Sequence, residues 1–119
     1  METLQFAFTG GTPAPSTAAA IVVGVVASGN LEVMVEHAAL NGGCRIELST
    51  AARGFGPVWE AVLGDFFDRA RPGDLRISIN DMGATPAVVS LRLDQALEEF
   101  KAAPAPSLRS GDLPPQADR

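Results

Sequence analysis

A chain of 119 residues with a formal net charge of −5 and a pI near 4.7 has room for one domain and one core, and it lacks the clustered Lys and Arg that a nucleic-acid backbone requires. Hydrophobic residues at 46% and charged residues at 19% place it among folded domains, with an acidic surface suited to basic patches on partner proteins. One cysteine and one histidine exclude an internal disulfide and leave too few ligands for a structural zinc site of the usual kind.

The N-terminus, Met1-Glu2-Thr3-Leu4-Gln5-Phe6, has neither the basic start nor the long apolar core of a secretory signal, so the expected location is the cytoplasm. Leu4, Phe6 and Phe8 alternate with Gln5 and Ala7, which predicts a short edge strand. Thr9 to Ala20 is rich in Gly, Pro, Ser, Thr and Ala and reads as a mobile connector; residues 1–20 are thus an N-terminal segment and linker. Ile21 to Ala27 is an apolar, β-branched run suited to a strand covered on both faces. The longest apolar stretch, Ala18 to Ala27, is too short to span a membrane. Ser28-Gly29-Asn30 is turn chemistry, because Gly and Asn tolerate the positive φ of short hairpins. The Ser28 hydroxyl is expected at a loop tip, in water, with no base in sequence reach. Such a serine is a poor nucleophile and a good acceptor for another enzyme to modify.

Leu31, Val33 and Val35 alternate with Glu32, Met34 and Glu36, as in a strand with one buried face. After the turn at Asn41-Gly42-Gly43, Cys44, Ile46 and Leu48 alternate with Arg45, Glu47 and Ser49 as a third strand. The period then changes. Gly56-Pro57 opens a helix with Pro at its first position, and Val58, Val62 and Phe66 with Trp59, Leu63 and Phe67 form a broad apolar face. Pro72-Gly73 stops it. Leu75, Ile77 and Ile79 alternate with Arg76, Ser78 and Asn80 in a fourth strand, and Asp81-Met82-Gly83-Ala84 reads as a turn. Thr85-Pro86 is an N-cap and N1 proline for a second helix with Val89, Leu93, Ala96, Leu97 and Phe100 on one face. Residues 102–119 lack periodicity and read as a disordered tail behind a folded domain over 21–101.

The fold class is therefore α+β: a two-layer domain with a mixed four- to five-stranded sheet (β-β-β-α-β-α) and two helices packed on one face. The three consecutive strands are expected to be antiparallel neighbours. The helical crossover to the fourth is expected to be right-handed if those strands are parallel. Whether the fourth strand joins one edge of the sheet or the other is left open.

No catalytic constellation is legible. His37 ends a strand with no serine or cysteine at dyad spacing. Cys44 shares a face with Ile46 and Leu48 and reads as a small buried apolar residue. Thr9-Gly10-Gly11-Thr12-Pro13 fails as a phosphate-binding loop, since no Lys-Ser/Thr and no helix follow. Gly54-Phe55-Gly56-Pro57 does precede a helix, but Pro57 removes one of the donors an anion would use. Asp65 with Asp68, and Glu98 with Glu99, read as solvated helix faces, and Trp59 with Phe66 and Phe67 as a core stripe. Arg53 reads as a solvated loop charge beside the Gly-Phe-Gly segment.

Three segments, covering about Ile21 to Phe100, resemble the acyl-carrier (delta) subunit of biotin-independent malonate decarboxylase. They are Gly24-Val25-Val26-Ala27-Ser28-Gly29-Asn30-Leu31-Glu32-Val33; Gly54-Phe55-Gly56-Pro57-Val58-Trp59-Glu60-Ala61-Val62-Leu63; and Asn80-Asp81-Met82-Gly83-Ala84-Thr85-Pro86 through Val89, Leu91, Arg92, Leu93, Gln95, Ala96, Leu97 and Glu98. The resemblance implies that the serine aligned with Ser28 bears a covalent 2′-(5″-phosphoribosyl)-3′-dephospho-CoA group through a phosphodiester, with Gly29 and Asn30 shaping the attachment turn. It implies a thiol carrying acetyl and malonyl units as thioesters, and a phosphoprotein that carries but does not catalyse. The implied partners are a transferase (alpha) subunit, a decarboxylase (beta/gamma) pair and a prosthetic-group transferase, with no nucleic acid, membrane or metal. The family usually has Asp after Ser-Gly; Asn30 keeps the turn preference and removes a charge near the hydroxyl. Two other readings stay open: a carrier subunit of a citrate lyase-like system, and an unmodified interaction or regulatory domain on the same scaffold.

Overall fold

The computed structural model describes residues 1–13, 20–23 and 30–102. In chain order its elements are β1 (Glu2–Phe8), β2 (Thr12–Pro13), β3 (Ala20–Val23), β4 (Leu31–His37), β5 (Cys44–Thr50), α1 (Gly56–Ala70), β6 (Pro72–Gly73), β7 (Leu75–Asp81) and α2 (Pro86–Ala102). The main sheet has five strands in the order β1-β5-β7-β4-β3. Within this sheet, among the described residues, the β5/β7 pair is parallel and β1/β5, β7/β4 and β4/β3 are antiparallel. The fold is the expected α+β domain with a mixed sheet and two helices.

Strict alternation turns the apolar residues of β4, β5 and β7 to one side. In-register rows cross the sheet, such as Phe6–Ile46–Ile77–Val35 and Leu4–Leu48–Ile79–Val33. The β4, β5 and β7 members of these rows are buried, while Leu4 and Phe6 on the edge strand are partly buried. Trp59, Leu63, Phe66 and Phe67 of α1 and Val89, Leu93, Ala96, Leu97 and Phe100 of α2 close over them. Each Val, Leu, Ile or Phe among them that is taken fully out of water stabilises the fold by about 2 kcal/mol before entropic costs. Phe8 stacks on Phe67 with ring centroids 4.9 Å apart, tying the edge strand to α1. Val58 departs from the expected apolar face of α1, being 42% exposed.

The expectation of three neighbouring antiparallel strands fails at one point. β4 and β5 do not pair; β7 lies between them, in the interior of the sheet and at neither edge. Neighbouring strands are about 4.8 Å apart, so the connection from β4 to β5 must step over one full strand. Residues 38–43 are long enough to do so, with Asn41 and Gly42 at positive φ. Asp74, just before β7, pins this arch from below. Its Oδ1 accepts the Leu40 N–H at 3.2 Å and the Gly42 N–H at 2.8 Å. Those two backbone donors hold its carboxyl below the usual carboxylate range.

α1 ends at Arg71 in the left-handed conformation, and Pro72–Gly73 then pair in parallel with Thr12–Pro13. A Cβ on Gly11 would collide with the Pro72 carbonyl, so this second, two-stranded sheet depends on glycine there. Residues 14–19, the remainder of the predicted connector apart from Ala20 in β3, and the predicted tail from residue 103 lie outside the described residues.

Candidate functional site

Ser28 and Gly29 of the expected attachment turn lie outside the described residues; Asn30, its third expected member, is described and half-buried. Its surroundings follow from the last in-register row of the sheet, Glu2–Thr50–Asp81–Leu31. By phase, Thr50 and Asp81 continue the inward series of Leu48 and Ile79. Both are buried, with relative exposures of 0% and 1%. A buried carboxylate needs donors, and Asp81 has three. Its Oδ2 accepts the Thr50 hydroxyl at 2.8 Å, and its Oδ1 accepts the N–H groups of Gly83 at 3.2 Å and Ala84 at 2.8 Å. The Asp81 carbonyl accepts the Ala51 N–H, and the Asn30 carbonyl accepts the Met82 N–H, both at 2.9 Å. One acidic residue thus organises the loop after β5 and the loop after β7, and the latter is bonded to the start of β4.

Beside this row, lined by the first turns of α1 and α2, lies a half-open cavity of about 360 Å³. Ala52, Phe55, Val58, Trp59 and Val62 line one side; Asp81, Gly83, Ala84, Pro86 and Val89 line the other. Its walls are mainly apolar. Phe55 is 50% exposed, and Met82, between Asp81 and Gly83, is 57% exposed. Arg53 is exposed in the loop after β5. That loop is anchored by the Gly54 N–H donating to Glu2 Oε1 at 3.1 Å, with Gly54 at φ +82°.

The other candidate groups are scattered. His37 is exposed at the opposite end of β4. Cys44 is buried, and burial pushes its thiol up to about 12, which makes it a poor nucleophile near neutrality. Asp65, Asp68, Glu98 and Glu99 are exposed on the helices. Among the described residues no group of three or more His, Cys, Asp or Glu side chains could hold a metal, and no helix is long and apolar enough to cross a membrane. Sequence reasoning missed Thr50 and the buried role of Asp81. The signal was their phase, two residues beyond Leu48 and Ile79. Trp59 belongs to the predicted core stripe and also forms a cavity wall.

Residues 18–100 match the family model described as malonate decarboxylase delta subunit (MdcD). A malonate decarboxylase acyl carrier protein of Xanthomonas euvesicatoria pv. vesicatoria (strain 85-10) is 59% identical over 105 residues, covering 88% of this chain and all 100% of the relative. One from Stenotrophomonas maltophilia (strain K279a) is 57% identical over 102 residues, covering 86% of this chain and 96% of the relative. A crystal structure of a Pseudomonas malonate decarboxylase hetero-tetramer in complex with malonate contains a similar chain. The TM-score is 0.71 at 40% identity, over 84% of this chain and 99% of that one.

Proposed function

The chain belongs to the malonate decarboxylase delta subunit family, the acyl carrier subunit of that enzyme, and we propose that it bears its acyl groups on a 2′-(5″-phosphoribosyl)-3′-dephospho-CoA arm joined to Ser28 through a phosphodiester. The observation that carries this reading is the pairing of β3 with β4. Their antiparallel register runs from Ala20↔Glu36 to Val23↔Val33, so residues 24–30 join two adjacent strands, and Ser28 falls in that connection. The described surroundings fit a bulky nucleotide arm. Asn30 is tied by its carbonyl to Met82, Arg53 offers a cation at the same end of the sheet, and the cavity beside Asp81 leaves room.

When bound, the arm supplies a thiol on which acetyl and malonyl units travel as thioesters. The protein's own part is mechanical. The hairpin roots the arm, and Gly29 and Asn30 are residue types suited to a tight turn. Attachment would join Ser28 Oγ to the 5″-phosphorus of an arm precursor activated as a polyphosphate, with the remaining phosphate leaving and the hydroxyl proton passing to the modifying transferase, because no base of this chain is at sequence reach. Tethering raises the local concentration of the acyl group at each partner site. The partners on this reading are the alpha transferase and the beta/gamma decarboxylase subunits, in the cytoplasm, and the carrier itself catalyses nothing.

The test is the intact mass of the protein co-expressed with its modifying enzymes. The wild type gains a nucleotide-sized adduct that maps to the peptide containing Ser28; Ser28→Ala stays folded and gains none. The same mass gain in the mutant excludes Ser28.

A further inference from the structure

Attachment at Ser28 does not by itself say which part of the arm enters the cavity between the helix N-termini. Building on the reading of Ser28 as the attachment residue, we propose that this cavity is a purine site that seats the adenine base of the arm, between the Phe55–Trp59–Val62 wall and the Pro86–Val89 wall.

Four observations carry it. The first is proximity. Ser28 is two residues before Asn30, so their Cα atoms are at most about 7.6 Å apart whatever the turn's conformation. Asn30 is hydrogen-bonded to Met82, whose neighbours Asp81 and Gly83 are both in the cavity wall. The second is the order of groups in the arm. The phosphoribosyl unit joins the 2′ position of the adenosine, so the base lies near the root and the thiol at the far end. Seating the base leaves the thiol free to travel. The third is size: about 360 Å³ is at the low end of small-ligand pockets, which run from roughly 300 to 1,000 Å³. It suits a flat heteroaromatic base and not the whole arm. The fourth is charge. The Asp81 carboxylate in the wall repels phosphate and malonyl carboxylate but tolerates a neutral base, and its oxygens already hold three donors. Among the described residues Arg53 is the basic side chain in the loops at this end, next to Ala52 of the wall, where phosphates outside the cavity would meet it. The half-exposed Phe55 ring would stack on the base and lose its contact with water.

Trp59 is the single tryptophan of the chain, so its indole N–H resonance reports on the cavity directly. The unmodified full-length protein is titrated with adenosine, 3′-dephospho-CoA and 4′-phosphopantetheine. Concentrations reach the millimolar range, because a tethered group acts at roughly millimolar effective concentration. Adenosine and 3′-dephospho-CoA are expected to shift the resonance saturably, and 4′-phosphopantetheine to leave it in place. In the loaded protein the resonance is expected already at the shifted position. Filling the cavity with Ala52→Phe, or with Ala84→Leu should the first variant unfold, is expected to weaken the adenosine response at least tenfold. The proposal is overturned by no response to adenosine, by an equal response to 4′-phosphopantetheine, by full affinity in a folded cavity-filled variant, or by a loaded protein whose Trp59 resonance matches the unmodified one. The titration with free ligand does not depend on Ser28, so Ser28→Ala should respond like the wild type. A wrong attachment residue would appear only in the mass measurement.

Discussion

Asp81 shows how one residue can organise two loops at once. It occupies an inward position of β7, where the alternation of Leu75, Ile77 and Ile79 calls for an apolar side chain, yet it is buried with Thr50 against it. Asp-Met-Gly-Ala has the composition of a turn, and the turn is there, but its first residue is also the last of the strand. Burial of the carboxylate is compensated only while its donors remain. Thr50→Val keeps the shape, deletes one donor to Asp81 and leaves the Ala52 N–H without its acceptor, which should cost about 1–3 kcal/mol. Asp81→Ala strands the Thr50 hydroxyl and two loop N–H groups and should cost about 3 kcal/mol. Urea denaturation with an unchanged m-value would establish both. Values near zero would mean that water replaces the lost bonds. The expectation of a turn at Ser28-Gly29-Asn30 rests on three letters, because turn chemistry is local. Thr50 and Asp81 could not be read in this way, because their roles exist only where β5 and β7 run side by side.

At the scale of elements, the parallel pairing of β5 with β7 requires α1 as a crossover, and the insertion of β7 requires the arch over residues 38–43. The two helices start differently. α2 has Thr85 as its cap, with the hydroxyl accepting the Val88 N–H at 3.3 Å. α1 has no side-chain cap and relies on Pro at its first turn. Arg69 bridges Asp65 of its own helix and Asp94 of α2 at 2.9 and 3.1 Å, but these groups are exposed and such pairs add little. Asp74 matters more to topology, and it makes a pH-dependent prediction. Its carboxyl is held below its usual value of 3.8 in the folded state by the Gly42 and Leu40 N–H groups. The unfolded chain therefore takes up the proton first as pH falls. The stabilisation is fully present above the unfolded value and is lost as pH drops through the lower folded one. Wild-type stability should fall across that acidic window, and Asp74→Asn should show a shallower fall there, with little difference in slope above pH 5. Parallel pH profiles of the two proteins would contradict the assignment.

For the molecule as a whole, the core runs from β1 to Phe100. Leu4, Phe6 and Phe8 cover the β5 side, and Phe8 stacks on Phe67. Deleting residues 103–119 should leave the midpoint of thermal unfolding within about 2 °C, whereas deleting 1–13 should remove about 3 kcal/mol or more and lower it by over roughly 10 °C. Circular dichroism melts would decide, and a large shift from the C-terminal deletion would show that the tail packs on the domain. The chain's periodicities were enough to define β1, β4, β5, β7, both helices, the buried faces of the main strands and the two-layer α+β class. Each of these depends on neighbours within a few residues, so it is written in local order. The position of β7 between β4 and β5, the pinning of Thr12–Pro13 to Pro72–Gly73, the Thr50–Asp81 pair and the cavity beside Asp81 were decided only by the tertiary structure. They are contacts between segments some thirty or more residues apart in the chain, and no local pattern records which distant strand a given edge will meet.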